Sequence, residues 1–242
     1  LGRLSSRPFF CGLNIDMHYL FTNGCSFMTT RNFPERTSIQ THVGIEIAKH
    51  YNFELTNIAR GGRGMDRTTL TTMIFFEKHR KFKDTFALIE WSDSGRWDYP
   101  TRFKKKKHLH PQLDTDWSTI KLTDEATTTF FNKNAETMDL PGFLVTRFYH
   151  NVLSLQSFFK SNGIPYLMYN GLRNSIDEGK KDHQSLSNLV DKKHFFGFGD
   201  YELSHFGWCA RNKLCVGGGD EHPNEEGHKE FAKLLISYIN EN

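Results

Sequence analysis

The sequence predicts an α/β fold, a three-layer α/β/α sandwich around a central parallel sheet. Two observations carry that expectation. Short apolar runs alternate with stretches of helical spacing along most of the chain. Strands joined by helical crossovers must run parallel, with helices covering both faces. The apolar runs also lead into polar turns, two of them glycine-rich. In such a sheet, ligands bind beyond the carboxyl ends of the strands.

The elements follow in order. His18–Asn23 reads as a short buried strand ending at Gly24. Ser38–Tyr51 places Val43, Ile47 and Tyr51 at helical spacing. Phe53–Ala59 is a second strand, and Arg60–Gly64 a glycine-rich turn after it. Arg67–Lys81 is helical, with Leu70, Met73, Ile74 and Glu77 phased as its half-buried face. Phe86–Trp91 is a near-continuous apolar strand, the pattern of a strand buried on both faces. Phe143–Lys160 is a helix whose stripe is Leu144, Phe148, Val152, Leu155 and Phe159. Asn162-Gly163 closes it, and Ile164–Tyr169 is a fourth strand. Asn224–Asn242 is the last helix, with Phe231, Leu234, Leu235 and Tyr238 inward.

Two segments break the repeat. Residues of about 99–140 are polar and irregular, and 172–219 are rich in Gly, Asn, Lys and aromatics. Both are expected as insertions at the sheet rim, where long loops act as lids or move freely. No internal repeat or linker divides the chain, so 17–242 reads as one domain. Met17 stands just before the first strand. It reads as the natural start, or residues 1–16 as a loosely held extension.

Composition excludes several classes. Hydrophobic residues make up 37% of the chain and Phe alone accounts for 22 positions, enough for a real core. A formal net charge of +3 over 242 residues is too weak to argue for nucleic acid. Most visible basicity is the run Lys104–Lys107, read as a solvated loop. No stretch approaches the ~20 apolar residues of a membrane helix. Cys11, Cys25, Cys209 and Cys215 do not form a disulfide framework; reduced thiols in a cytosol are expected, although Cys209 and Cys215 are close enough in sequence to pair. No HExxH occurs, and His108 and His110 sit in the basic loop, so no metal and no cofactor is expected.

The turns carry the chemistry. Ser26 follows strand one, Gly61 and Gly62 strand two, Ser92 and Asp93 strand three, and Asn170 strand four. All should open onto one edge of the sheet. Ser26 reads as a nucleophile or as a turn serine capping a helix. Asp220-Glu221-His222-Pro223-Asn224 puts a carboxylate and an imidazole beside a helix start. It reads as a base with its orienting acid, or as an N-terminus with Pro223 early in the helix. The serine oxygen should then lie within roughly 3–4 Å of the imidazole. Asp220 should push the imidazole pKa upward. His228 reads as packing or surface. Gly62 reads as an oxyanion donor or a plain turn; Ser92 or Asn170 would add a side-chain donor. Arg96 reads first as an ion pair with Asp93 or Asp98, and second as a binder of a substrate carboxylate or phosphate.

Four stretches, Thr22–Phe27, Asn57–Gly62, Glu90–Asp93 and Asp220–Asn224, together resemble the ordered blocks of the SGNH, or GDSL-like, hydrolase superfamily. They are similar also to the divergent SGNH-type proteins of large bacteriophages. The resemblance implies a flavodoxin-like SGNH hydrolase fold, with Ser26 as nucleophile, His222 and Asp220 as base and acid, and Gly62, less so Gly61, as oxyanion donor. Three positions depart from the family pattern. Cys25 replaces the first-block Asp, Ser92 stands where the third block has its oxyanion asparagine, and Asp220 precedes His222 by two residues rather than three.

The function expected is that of a serine esterase acting on a small ester, with O-acyl or O-acetyl groups of a glycan as the class the resemblance suggests. The aromatic 194–208 loop reads equally as a platform for sugar rings or as a small core of its own. Neither a nucleic acid nor a membrane is expected as partner, and oligomeric state is open. The location expected is cytoplasmic, or virion-associated if phage-encoded. The alternative is a non-catalytic glycan-binding or virion structural module on a degenerate SGNH fold, which the missing asparagine favours. A phosphate or nucleotide binder ranks last, since no GxGxxG or P-loop is present.

Overall fold

The computed structural model describes residues 17–32, 38–79, 84–101, 116–121, 139–172, 174 and 181–242, with positions 129 and 133 singly. Residues 1–16, Cys11 among them, and the basic loop with Lys104–Lys107, His108 and His110 lie outside the described residues.

Five parallel strands form the central sheet: β1 (Tyr19–Asn23), β2 (Glu54–Asn57), β3 (Thr85–Trp91), β6 (Tyr166–Asn170) and β7 (Phe195–Phe196), in the order β2-β1-β3-β6-β7. Every residue of the central β3 is buried. Because side chains alternate across a strand, β3 feeds two cores. Ala87, Ile89 and Trp91 join Phe21, Phe76, Phe148, Val152, Leu155 and Phe159 on one face. Phe86 and Leu88 join Leu20, Val43, Ile47, Phe231, Leu235 and Ile239 on the other. The first face is covered by α2 (Met65–His79) and α3 (Leu140–Asn162), the second by α1 (Val43–Tyr51) and α6 (Glu225–Glu241). The three layers are those expected from the alternation of strands and helices.

The helix ends follow local chemistry. Asp139 caps α3 by accepting the Gly142 N–H at 3.1 Å, and Gly163 ends it in the left-handed region at φ 64°. Asn224 caps α6 by accepting the Gly227 N–H at 2.8 Å. The α1 helix starts at Val43 rather than at Ser38. The segment before it pairs backwards, through an antiparallel bridge between Arg31 and Ile39, and His42 becomes the cap.

The inward face of α2 differs from the one expected. Leu70 and Glu77 are exposed, while Thr68, Thr69, Thr71, Thr72 and Phe76 are buried. Polar partners explain the rotation. The buried Asn23 amide donates to Thr68 O at 3.1 Å and to the Thr71 and Thr72 hydroxyls at 2.9 Å each. A buried amide needs those bonds, so the helix turns its threonines inward and hydropathy gives the wrong phase.

The two irregular segments also gain structure. A hairpin of β4 (Arg96–Thr101) and β5 (Asp116–Lys121) opens the first. The second is more than a rim insertion. It contributes β7 to the sheet, the helices α4 (Lys181–Leu189) and α5 (His205–Arg211), and β8 (Cys215–Gly217). Its aromatic loop packs mainly inward: Phe195 and Phe196 are buried, Phe198 lies 5.1 Å from Phe195 between ring centres, and Trp208 lies 5.9 Å from Phe231. Cys25, Cys209 and Cys215 are free thiols.

Candidate active site

The four strand-end turns do meet at one edge. After β1 the chain makes a tight turn at Gly24-Cys25 and enters a short 3-10 turn, Ser26–Met28. The Gly24 position is forced by a neighbour: a Cβ there would lie 2.7 Å from the Glu90 Cβ. Opposite, β8 turns through Gly217, Gly218 and Gly219, all at positive φ, into β9 (Asp220–Pro223). Asp220 and His222 therefore ride on a hairpin strand. Pro223 is its last residue, not an early helical one, and α6 begins after Asn224.

His222 Nε2 lies 2.9 Å from Ser26 Oγ, and His222 Nδ1 lies 2.7 Å from Asp220 Oδ1. With the Nδ1–H donated to the carboxylate, Nε2 presents its lone pair to the serine hydroxyl. Asp220 Oδ1 also accepts the His222 backbone N–H at 3.0 Å. Ser26 is half-buried. Phe27 packs its ring on the imidazole, 4.8 Å between centres.

Electrostatics at this edge run against the sequence expectation in one respect. The His222 pKa is lowered rather than raised. Burial disfavours the imidazolium, and Arg31 and Arg96 repel it. Together these outweigh the Asp220 hydrogen bond and charge. Burial works against the Asp220 charge too, but Arg31 and the two His222 contacts hold this carboxyl well below the usual range.

The remaining expected residues divide. Gly61 sits against the serine: a Cβ there would lie 3.7 Å from Ser26 Cβ. Gly62 adopts φ 76°, which favours glycine, and open space surrounds its Cβ position. Arg96 faces the site closely enough to act on both His222 and Cys25. The ion pair expected with Asp93 or Asp98 is not made; its Nη1 is buried without a hydrogen-bond partner. Ser92 is wholly buried, and its hydroxyl has no partner. Its hydroxyl is closed to solvent. Asn170 is buried as well, and its Oδ1 accepts from Asn174 Nδ2 at 2.9 Å. It bonds Asn174 instead of facing solvent. His228 packs in the core, 5.0 Å from the His205 ring.

Two residues escaped the sequence reading. Arg31 lies on Asp220, with Nη2 at 3.0 Å from Oδ2. No local pattern marks it. Glu90 is wholly buried beneath the serine turn. Its Oε1 accepts the Cys25 N–H at 3.2 Å and the Cys25 thiol at 3.1 Å, and its Oε2 accepts the Tyr169 hydroxyl at 3.2 Å. Burial pushes its pKa up, and the Cys25 thiol is pushed up to about 12 by burial and by Glu90. A lone carboxylate inside the apolar run Phe86–Trp91 was the available signal, since an acid there must be hydrogen-bonded. Among the described residues no group of three His, Cys, Asp or Glu side chains is arranged to hold a metal ion. None of their helices is long and apolar enough to cross a membrane.

No family model matches the chain, and no curated protein matches it. Solved structures do. The lipase Lip_vut3 from a goat rumen metagenome is 9% identical, with a TM-score of 0.52 over 92% of this chain and 97% of that one. The psychrotrophic esterase EstA from Pseudoalteromonas sp. is 8% identical, with a TM-score of 0.51 over 93% and 97%. Protein YXIM of Bacillus subtilis is 13% identical with a TM-score of 0.50; the present chain matches over 93% of its length and spans 56% of that protein. These likenesses show the fold. It is a parallel sheet between two helical layers, the three-layer arrangement described above.

Proposed function

We propose that the protein is a serine esterase in which Ser26 is the nucleophile, His222 the general base and Asp220 the acid that orients it. One observation carries the reading: the continuous hydrogen-bonded chain from Ser26 Oγ through both nitrogens of His222 to Asp220 Oδ1, 2.9 and 2.7 Å long. A serine hydroxyl is unreactive until a base takes its proton, and this arrangement supplies one.

In the proposed reaction Ser26 Oγ attacks the ester carbonyl while its proton passes to His222 Nε2. The negative charge gathers on the former carbonyl oxygen. Backbone N–H groups of the Gly61-Gly62 turn and of Ser26 are the donors proposed for it, since Ser92 is shut away. Collapse expels the alcohol, which takes the proton from the imidazole. Water then repeats the sequence on the acyl-serine and releases the acid. Loss of a side-chain oxyanion donor costs ~10²–10³ in rate, so modest turnover is expected.

For substrate class we favour a small or glycan-borne O-acyl ester. The exposed Tyr201 and half-buried Phe206, 6.4 Å apart between ring centres, offer apolar faces near the Phe27 side of the site. The matched lipase and esterase are both named for ester cleavage, which supports the ester but not the glycan.

Initial rates on p-nitrophenyl acetate test the reading, with wild type and Ser26→Ala side by side. Ser26-dependent release of nitrophenol is expected. Activity should rise with pH, because the base must be neutral. Its midpoint should lie below the ~6.5 of an ordinary imidazole, because the folded protein disfavours the charged form. Equal hydrolysis by both proteins would overturn the assignment in favour of a glycan-binding module.

A further inference from the structure

Arg31 belongs to none of the four blocks. It lies between the 3-10 turn and α1, fixed by its bridge to Ile39, whose two backbone hydrogen bonds measure 2.8 and 2.7 Å. From there the guanidinium straddles the Asp220 carboxylate, Nη2 at 3.0 Å from Oδ2 and Nη1 at 3.4 Å from Oδ1. The two side chains are only 10% and 12% exposed. On its other side the same carboxylate takes both the ring N–H and the backbone N–H of His222. The acid is thus held between a cation and the base.

We propose that Arg31 is a positioning residue that acts through Asp220, setting the plane of the carboxylate and keeping His222 neutral in mildly acidic solution. The inference rests on the hydrolytic reading above. A carboxylate alone beside an imidazole favours the imidazolium. A guanidinium fixed on its second oxygen, with little solvent between, offsets part of that field. Other charged or titratable groups also surround His222: Asp220 and Glu221 on its own strand, Cys215 on β8, Arg96 on β4 and His228 on α6. Arg96 pushes in the same direction as Arg31, but Arg31 is the arginine that bonds Asp220. A planar fork also fixes the orientation of a carboxylate, which a lysine ammonium does not. Charge and geometry can therefore be separated by substitution.

The experiment is an NMR titration of the His222 ring in wild type, Arg31→Met and Arg31→Lys. It runs from about pH 5.5 to about 8, across the imidazole range. The resonance is the one missing in His222→Gln. Initial rates on p-nitrophenyl acetate are measured over the same pH values. Arg31→Met should raise the His222 midpoint by about one pH unit and move the acid limb of kcat/KM with it. Arg31→Lys should restore the midpoint but not the full kcat. If the methionine variant fails to fold, Arg31→Gln carries the same expectation. An unmoved midpoint overturns the proposal whatever happens to the rate, because a merely structural arginine would lower rate or melting temperature and leave the imidazole alone. A moved midpoint in a protein whose hydrolysis does not depend on Ser26 would overturn the hydrolytic reading while leaving the hold of Arg31 on His222 standing.

Discussion

Two imidazoles pack against one phenyl ring and have opposite fates. His222 and His205 both touch Phe27, at 4.8 and 5.6 Å between ring centres. The His222 side chain is 28% exposed and both of its nitrogens are engaged. His205 is wholly buried, and neither of its nitrogens has a hydrogen-bond partner. The Glu90 carboxylate stands 3.7 Å from His205 Nδ1, beyond hydrogen-bond reach. Burial pushes the His205 pKa down to about 3. A histidine near the candidate serine is therefore not yet a candidate base. What distinguishes the candidate is an acid on one nitrogen, a hydroxyl on the other, and an opening to solvent.

The largest expected effect separates the pair outright. Ser26→Ala and His222→Ala should each lower ester hydrolysis by ~10⁴-fold or more, as removal of a nucleophile or base does elsewhere. Thermal melts should stay nearly unchanged, since both side chains lie at the surface of the site. His205→Phe, assayed in parallel, should remain near wild type. A comparable loss in all three would erase the distinction. Asp220→Asn comes next, at ~10²–10⁴-fold, because the acid orients the base without itself moving a proton. Kinetics at a pH well above the acid limb will show it without interference from titration.

Glu90 sharpens the comparison from beneath. Glu90→Leu leaves the Cys25 N–H and the Tyr169 hydroxyl without their acceptor, at about 1–3 kcal/mol for each orphaned group. A lower unfolding midpoint in denaturant, a slackened Ser26 turn and slower ester hydrolysis are expected. Glu90→Gln, which keeps an acceptor oxygen, should retain more of both.

The remaining effect is one of acid stability. The folded pKa of His205, about 3, lies below the ~6.5 of the unfolded chain. The unfolded state therefore binds the extra proton first. Stability is complete above ~6.5 and falls as pH drops toward the folded value, by about 1.4 kcal/mol per pH unit for each such histidine. His42, lowered to about 4 chiefly by burial, adds to the same slope. His205→Phe should flatten it, as urea melts at neutral and mildly acidic pH will reveal.

The sheet was legible because its central strands are buried on both faces, so Phe86–Trp91 and Ile164–Tyr169 read as plain apolar runs. The face of α2 was not legible. Its inward side answers to the amide of Asn23, a residue distant in sequence, and hydropathy carries no record of that bond. Likewise Phe195–Phe196 supplies a sheet strand only two residues long, too short for any periodicity. At the site, Ser26, Asp220 and His222 were readable because turn and strand-end residues sit in compact local patterns. Arg31 was not, since its partner lies 189 residues away. Ser92 and Asn170 were expected at the surface from their places at strand ends. Both end up buried where Gly171 and Asn174 close over the end of β3: the Gly171 N–H bonds Trp91 O at 2.9 Å, and Asn174 Nδ2 donates to Ser92 O at 3.0 Å.

The β8–β9 hairpin runs without a spacer into the last helix. Asn224, which caps α6, follows two residues after His222, and its own N–H is tied to Leu214 O at 2.9 Å. Nine residues after His222 comes Phe231, wholly buried in the core. The proposed base is thus anchored to the same piece of chain that closes one face of the protein. It has little freedom to wander while the molecule is intact. Heat inactivation should then coincide with global melting instead of preceding it, and residual activity would serve as a thermometer of the fold.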